Sequence, residues 1–152
     1  MNIRTIDTEL IRFFRRVSMP VARFGLFVVF FYFGILKVIG LSPASGLVQA
    51  LFEQTISFMS FNHFIVLFGL FECLIGILFI IRGFERIVIP LLFLHMIMTF
   101  LPLFFIPEVT WSGFLIPTLV GQYIIKNLAI IATAIGIAAH LQPLSNRELR
   151  NS

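Results

Sequence analysis

The feature that most constrains this chain is a set of four long apolar stretches, which together take up over half of its 152 residues. A helix of about 20 mainly apolar residues crosses a bilayer core of about 30 Å. The stretches of this length lie at about 21–39, 63–81, 87–106 and 118–141. Because lipid cannot hydrogen-bond with the backbone, each stretch has to be helical. The sequence therefore predicts an all-α integral membrane four-helix bundle, with residues 1–152 forming a single transmembrane domain.

The composition excludes most soluble classes of protein. Hydrophobic residues make up 59% of the chain and charged residues 12%, which leaves too little polar surface to cover a water-soluble globule. Although the net charge is +4, the 20 Phe residues argue against disorder and against a nucleic-acid-binding protein. We therefore expect membrane lipid, and no nucleic acid, as a partner. Cys73 is the single cysteine, so an intramolecular disulfide and a redox dithiol are excluded.

The distribution of cations predicts the orientation in the membrane, because Lys and Arg are retained on the cytoplasmic side. Arginines precede the first span, lie between the second and third spans, and follow the fourth as Arg147 and Arg150. The other two connections, 41–62 and 107–117, contain neither Lys nor Arg. We therefore predict a multi-pass protein of the inner (plasma) membrane with both termini in the cytoplasm. A cleaved signal peptide is the alternative interpretation of the first span, and Lys37 within the span disfavours it.

Two shorter segments have amphipathic patterns. Residues 3–17 place apolar side chains at helical spacing opposite three arginines, which predicts a basic amphipathic N-terminal helix on the cytoplasmic headgroups. After the first span, Ser42 and Pro43 resemble an N-cap and a first-turn proline. Apolar residues from Leu47 to Met59 then form one stripe. This pattern predicts an interfacial helix between the first and second spans that covers one end of the bundle.

Each span contains an ionisable residue within or close to the hydrocarbon, and these residues are Lys37, Glu72, His95 and Lys126. A charge at the bilayer centre costs roughly 2.5–3.5 kcal/mol on insertion scales, so four such residues need mutual compensation or a function. Their predicted depths all lie between the midplane and the outer face, which predicts a polar pocket open toward the exterior. Because Glu72 is the only carboxylate in the spans, we expect it to pair with Lys126. Lys37 would then guard the entrance or extend to the outer headgroups.

Helical spacing adds polar neighbours to these residues. Thr99 lies one turn after His95, ahead of Pro102, which we expect to kink the third span. In the fourth span, the residues expected to share one inward face are Gln122, Lys126, Ala129, Thr133, Gly136 and His140. Beside Glu72, the small side chains of Gly69, Cys73 and Gly76 would allow close helix packing. The candidate ligand-binding residues are Lys37, Glu72, His95, Thr99, Gln122 and Lys126.

Several chemistries are disfavoured by the same residues. The three histidines fall at different depths, which argues against bis-histidine haem, and no second central ligand supports a metal site. A Ser/His/Asp arrangement lacks its acid, and the chain contains no Gly-rich phosphate loop. We therefore assign no catalytic residue and expect no metal or haem. An aromatic-rich cavity with a carboxylate, amines and an imidazole suits an amphipathic ligand with polar oxygens, such as a quinone or a lipid headgroup.

Three stretches of sequence resemble a known family. They are FGILKVIGL (33–41) followed by Ser42 and Pro43, FECLIG (71–76) and GQYIIKNLAII (121–131). These stretches resemble the DoxX-like superfamily, and within it the YkgB/DUF417 branch, which includes a reactive-chlorine-resistance protein of the inner membrane. The resemblance implies a four-helix inner-membrane protein. Relatives in that superfamily include a membrane subunit of thiosulfate:quinone oxidoreductase, proteins of oxidative-stress defence, and assembly chaperones.

Two functions of different classes follow as hypotheses. The first is a membrane protein whose outward-facing pocket binds a quinone or lipid-like ligand in a redox or oxidative (reactive chlorine) stress process. As an enzyme it would be a subunit of a quinone-linked membrane oxidoreductase, with a redox partner protein or further copies of itself. The second is a non-enzymatic scaffold or assembly factor whose buried charges specify helix packing. A proton-coupled carrier is disfavoured, because the inner half offers no polar path and no inverted repeat is visible.

Overall fold

The computed structural model describes residues 3–56 and 58–141. Within these residues, four helical stretches are long and apolar enough to cross a membrane. They are Ile3–Val38, Phe61–Ile80, Glu85–Phe105 and Leu119–Ala138. The predicted all-α four-helix membrane bundle is thereby confirmed. Arg147 and Arg150, used above for the orientation, lie outside the described residues.

Helix α1 spans Ile3–Val38 and contains both the predicted amphipathic N-terminal helix and the predicted first span. Two separate helices were expected here, whereas the structure has one continuous helix with Pro20 inside it. A proline within a helix removes a single backbone hydrogen bond, and the helix continues on both sides of Pro20. The side chains from residue 3 to residue 16 are exposed, while Leu26, Phe30, Gly34 and Lys37 are buried.

Helix α2, Ser45–Thr55, is the predicted helix between the first two spans. Its start differs from the prediction, because Ser42 and Pro43 belong to the turn that precedes the helix. The Ala44 amide donates to the Ser42 hydroxyl at 3.3 Å, and the Ser45 amide donates to the Ser42 carbonyl at 3.2 Å. Ser42 therefore stabilises this turn and is not the N-cap of α2. Phe52 is the buried residue of α2 and contacts the rings of Phe61 and Phe64.

The second span is the uninterrupted helix α3, Phe61–Ile80, whereas the third and fourth are each divided. In the third, α4 (Glu85–Phe100) is followed by the short α5 (Pro102–Phe105), so the interruption comes directly before Pro102, as predicted. In the fourth, Asn127 separates α7 (Leu119–Lys126) from α8 (Leu128–Ala138). Between these spans lie α6 (Pro107–Thr110) and a small antiparallel hairpin of β1 (Trp111–Gly113) and β2 (Ile116–Pro117).

The tightest packing is between α1 and α3, where small residues let the two backbones touch. A Cβ added to Gly34 would lie 2.6 Å from the Gly69 carbonyl oxygen, and one added to Gly76 would lie 2.8 Å from the Phe31 amide. The predicted close approach at Gly69 and Gly76 is confirmed. Farther along the bundle, α1, α3, α4 and α8 share an apolar core formed by Leu26, Phe30, Ile75, Phe79, Val88, Ile89, Leu92, Met96, Ala134 and Ile137.

The two ends of the bundle differ in charge. Arg23, Arg82 and Arg86 lie near one end, which we call the basic end. Helix α2 and the hairpin lie at the other end, which we call the opposite end.

Candidate functional site

Three ionisable side chains from three helices meet inside the bundle. The Lys37 Nζ on α1 lies 2.6 Å from Oε2 of Glu72 on α3. The other carboxylate oxygen, Oε1, lies 2.9 Å from Nε2 of His95 on α4. The Thr99 hydroxyl extends this chain, since its Oγ1 lies 3.2 Å from Nδ1 of His95. We call Lys37, Glu72, His95 and Thr99 the buried cluster.

The ionisable members of the buried cluster are almost completely enclosed by protein. Lys37 is 6% exposed, and Glu72 and His95 are each 5% exposed. An isolated charge in such a place would be very costly, and a carboxylate that accepts bonds from two donors is the arrangement that offsets the cost. Glu72 is the shared partner of Lys37 and His95, so a change at any one of the three side chains alters the electrostatic environment of the other two.

The glycines of the α1–α3 contact determine how Lys37 reaches Glu72. A Cβ added to Gly69 would lie 2.9 Å from the Cβ of Lys37 and 2.7 Å from the Gly34 carbonyl oxygen. Gly69 precedes Glu72 by three residues and therefore lies on the same face of α3. The missing side chain at Gly69 thus leaves room for the first carbon of the Lys37 side chain. This close approach brings the ammonium and the carboxylate together.

The Thr99 hydroxyl is compatible with two arrangements of the protons on the His95 imidazole. Besides its contact with Nδ1, the hydroxyl donates to the His95 carbonyl oxygen at 3.0 Å. When it donates to the carbonyl, it accepts a hydrogen bond from Nδ1–H, and the imidazole can carry protons on both nitrogens. When the hydroxyl turns toward Nδ1, it donates to an unprotonated nitrogen, and only Nε2 carries a proton. Both arrangements keep the bond between His95 and Glu72.

Aromatic rings surround the imidazole. Phe68 stacks on His95 with ring centres 5.1 Å apart, and Phe30 meets His95 edge-on at 5.2 Å. From Phe68 a column of rings continues toward the opposite end, with centroids 5.7 Å apart for Phe68 and Phe64 and 5.0 Å apart for Phe64 and Phe52. The Lys37 Nζ also lies 5.6 Å from the centre of the Phe68 ring. The column therefore links α2 to Lys37 and His95 of the cluster.

The predicted pairing of Glu72 with Lys126 is wrong. Both oxygens of Glu72 are occupied by Lys37 and His95. Lys126 is exposed on α7, where its Nζ lies 5.2 Å from the centre of the Tyr123 ring. Lys37 is accordingly a buried partner of Glu72 and not a free cation at an entrance. The structure brings together Lys37, Glu72, His95 and Thr99 of the predicted site, whereas Gln122 and Lys126 are exposed side chains of α7.

The predicted inward face of the fourth span is also wrong. Gln122, Lys126, Ala129, Gly136 and His140 are exposed. The buried residues are Gly121, Ile124, Ala134 and Ile137, which are small or branched and apolar. Apolar burial therefore prevails over the clustering of polar residues on this helix. Gly121 makes the closest contact, since a Cβ there would lie 2.1 Å from the Thr110 carbonyl oxygen.

A second ion pair lies at the basic end and was not predicted from the sequence. Arg23 on α1 forms an ion pair with Glu85 at the start of α4, and both side chains are largely buried. The Nε of Arg23 also donates to the Phe79 carbonyl oxygen at 2.8 Å. In the sequence, Arg23 marks the orientation of the first span and also follows a three-four repeat with Phe27, Phe30, Gly34 and Lys37. That spacing places Arg23 on the same face of α1 as the buried residues Phe30, Gly34 and Lys37, and it is the signal that the side chain faces the bundle.

Helix α4 also borders an apolar groove of about 280 Å³ on the surface of the bundle. The lining residues are Phe93, Met96, Ile97, Phe100, Leu101, Phe104 and Ile131. Met96 and Phe100 directly follow His95 and Thr99 in sequence. Within the described residues, no three His, Cys, Asp or Glu side chains come together in a way that could hold a metal ion.

Comparisons with protein-family models, with curated proteins and with solved structures find no match to this chain. The resemblance to the DoxX-like superfamily therefore stays a prediction, carried by residues 33–41, 71–76 and 121–131.

Proposed function

We propose that this membrane protein binds the polar head of a quinone next to His95 and Thr99. In this proposal it serves a redox or oxidative (reactive chlorine) stress process in the inner membrane, in keeping with the DoxX-like resemblance. The observation that carries the proposal is the hydrogen-bonded chain of Lys37, Glu72, His95 and Thr99 inside a membrane bundle. Ionisable residues within membrane spans mark ligand and proton sites by default.

The chemistry of the cluster suits a ligand whose oxygens gain and lose protons. Lys37 neutralises Glu72, and Glu72 in turn fixes Nε2 of His95. The Nδ1 of His95 and the Thr99 hydroxyl then form the end of this hydrogen-bonded series, where a proton can be exchanged with a ligand. A carbonyl oxygen of a quinone would accept a hydrogen bond there. Thr99 is only half-buried, so it is the member of the cluster that a ligand from outside the bundle reaches first.

Two apolar features would hold the remainder of such a ligand. The rings of Phe68 and Phe30 against His95 suit a planar head group, which stacks favourably on aromatic rings. The groove at Met96 and Phe100 suits a hydrocarbon chain, because its lining is apolar and it lies on the surface of the bundle. The exposed side chains of Gln122 and Lys126 do not contact the cluster, and we assign them no part in holding the polar head.

The experiment is to purify the full chain with its native lipids and to measure retained quinone by mass spectrometry of the extract. We expect quinone in the wild type and little or none in His95→Gln or Glu72→Gln. His63→Gln is the matched control, since His63 is exposed and contacts Ser60 outside the cluster. Equal quinone content in His95→Gln and His63→Gln, or none in the wild type, would contradict the proposal.

A scaffold or assembly factor is the second candidate, and one observation favours it. The side-chain atoms of Lys37, Glu72 and His95 find their partners within the chain, and these side chains are closed off from the surface. Such a cluster can specify helix pairing without binding a ligand, because buried polar groups fix register in some proteins. Under this hypothesis, the double variant Lys37→Met/Glu72→Gln would keep its biological activity.

The double variant separates the two candidates. It removes the ammonium and the carboxylate charge together, while the amide that replaces the carboxylate can still accept a hydrogen bond from His95. The quinone hypothesis predicts a folded protein that has lost both retained quinone and protection of cells against hypochlorite. The scaffold hypothesis predicts full protection by the same variant.

A further inference from the structure

We infer that the basic end of the bundle contains a binding site for the phosphate of an anionic phospholipid, between Arg23 and Arg82. A cavity of about 320 Å³ lies there, lined by Met19, Pro20, Arg23, Ile80 and Arg82. This volume is at the lower limit of ligand pockets in general, which suits a headgroup and not a whole lipid. The site is separate from the buried cluster and does not depend on the proposed binding of a quinone.

The guanidinium of Arg23 is only partly satisfied within the protein. Its Nε donates to the Phe79 carbonyl oxygen, and its Nη1 is paired with Glu85. Its Nη2 is the one buried side-chain nitrogen or oxygen without a hydrogen-bond partner among residues 3–56 and 58–141. An unsatisfied buried donor is unfavourable, and more so when it is charged. Arg23 also lines the cavity, and its Nη2 is closed to water in the structure. A rotation of the guanidinium would let an oxygen ligand in the cavity accept a hydrogen bond from Nη2.

The charges around the cavity match a phosphodiester. Glu85 neutralises Arg23, whereas Arg82 is exposed and forms no ion pair with a described residue. Arg23, Glu85 and Arg82 together carry a net positive charge, and Arg86 adds to it at this end of the bundle, so the site attracts the negative charge of a phosphodiester. Guanidinium groups bind such oxygens with two parallel hydrogen bonds, which makes arginine well suited to phosphate.

The position of the cavity favours a lipid as the source of that phosphate. Ile80 is the last residue of α3, and Arg82 follows in the connection to α4. The cavity therefore lies where two membrane-spanning helices end, at the level of the headgroups. Its other walls are the apolar side chains of Met19, Pro20 and Ile80, which suit the first carbons of acyl chains. A free phosphate ion would gain nothing from these walls.

The test is native mass spectrometry of the full chain in detergent, with phosphatidylglycerol or phosphatidylcholine added stepwise. We expect phosphatidylglycerol to bind more tightly than phosphatidylcholine. Arg82→Gln should weaken phosphatidylglycerol binding about fivefold, the effect of one basic residue on an anionic lipid. Ile80→Trp, which fills the cavity and leaves both arginines, should also weaken it. The matched control is Arg4→Gln, which removes the same charge from an exposed position far along α1.

Two results would overturn the inference. One is the same affinity for phosphatidylglycerol in Arg82→Gln as in Arg4→Gln, which would mean that any surface arginine attracts the lipid equally. The other is displacement of bound phosphatidylglycerol by excess inorganic phosphate, which would identify a soluble anion as the ligand. Arg82 is exposed, so its replacement leaves the fold intact and the comparison stays interpretable.

Discussion

Gly34 and Gly69 face each other so closely that neither helix can accept a side chain at these positions. A Cβ on Gly34 would lie 2.6 Å from the Gly69 carbonyl oxygen, and a Cβ on Gly69 would lie 2.7 Å from the Gly34 carbonyl oxygen. In lipid, helix association depends on such close van der Waals contact, because apolar surface gains little by leaving hydrocarbon. The pair therefore stabilises α1 against α3 and also sets the distance between Lys37 and Glu72.

Gly69→Ala should separate α1 from α3 and lengthen the contact between Lys37 and Glu72. Overpacking of a tight interface costs about 1–3 kcal/mol, and backbone atoms on both sides leave little room for relaxation. The measurement is the free energy of unfolding of the purified protein in mixed detergent micelles. Gly136→Ala is the matched control, because no atom lies within 4 Å of a Cβ at that position. Equal stability of the two variants would contradict the described packing.

Glu72→Gln should destabilise the protein by about 3–5 kcal/mol, because it leaves the buried Lys37 ammonium without a counter-charge. Glu9→Gln is the control, since the pair of Glu9 and Arg12 is exposed and such pairs contribute up to about 1 kcal/mol. The same unfolding measurement compares the two variants. A loss of similar size in both would mean that the carboxylate of Glu72 is not buried against a cation.

Lys37→Met/Glu72→Gln should recover most of the stability that Glu72→Gln loses. Lys37→Met removes the ammonium that Glu72→Gln leaves without a counter-charge. The stability regained in this way appears as a coupling energy in a double-mutant cycle. Such a cycle needs the single variant Lys37→Met as well. Additive effects of the two substitutions would argue against the contact of 2.6 Å between Lys37 and Glu72.

Much of the fold could be predicted from the sequence, because lipid restricts each apolar stretch to a helix. The predicted second span, 63–81, corresponds to Phe61–Ile80, and the interruption before Pro102 was expected from the proline itself. The sequence did not predict that α1 is continuous. The amphipathic pattern of residues 3–17 gives way to an apolar span, which suggested a break between two helices, whereas the backbone is helical throughout Ile3–Val38.

The site was predicted in part, for an identifiable reason. Glu72, His95 and Thr99 lie together in the structure, because each is on a stripe whose small or apolar neighbours face the core, and their binding of a ligand stays a prediction. Lys126 was assigned to Glu72 by counting charges, and helical spacing alone gives no distance between helices. The apolar side of α7 and α8 packs inward at Ile124 and Ala134 and turns Lys126 outward. Lys37 pairs with Glu72 because two glycines allow it, a contact that only the packed structure reveals.

The proposed orientation predicts that residue 8 is cytoplasmic and residue 112 is external. Thr8→Cys and Ser112→Cys place one new thiol at each location, and both residues are exposed. The native thiol of Cys73 is buried, so it should not react with a membrane-impermeant maleimide. In spheroplasts we expect labelling of Ser112→Cys at once and of Thr8→Cys only after permeabilisation, as measured by a gel shift. The reverse order would overturn the orientation.

Thr99→Val should change the proton arrangement of His95 while leaving its bond to Glu72 in place. Without the hydroxyl, Nδ1 of His95 loses the partner at 3.2 Å that can both donate and accept. Loss of one such bond should cost about 0.5–1.5 kcal/mol. The specific readout is the ¹⁵N resonance of Nδ1 in histidine-labelled protein, assigned with the His95→Gln variant. We expect that resonance to shift in Thr99→Val and the Nε2 resonance to change much less.

Thr133→Val is the matched control for this measurement, because the Thr133 hydroxyl bonds to the Ala129 carbonyl oxygen of its own helix. The His95 resonances should be the same in this variant as in the wild type. If Thr99→Val also leaves the Nδ1 resonance unchanged, the Thr99 hydroxyl does not determine which nitrogen of His95 carries the proton. That result would contradict the two proton arrangements described for His95 and Thr99. A shift confined to Thr99→Val would instead show that the hydroxyl sets the proton arrangement at Nδ1, the nitrogen of the imidazole that Glu72 does not occupy.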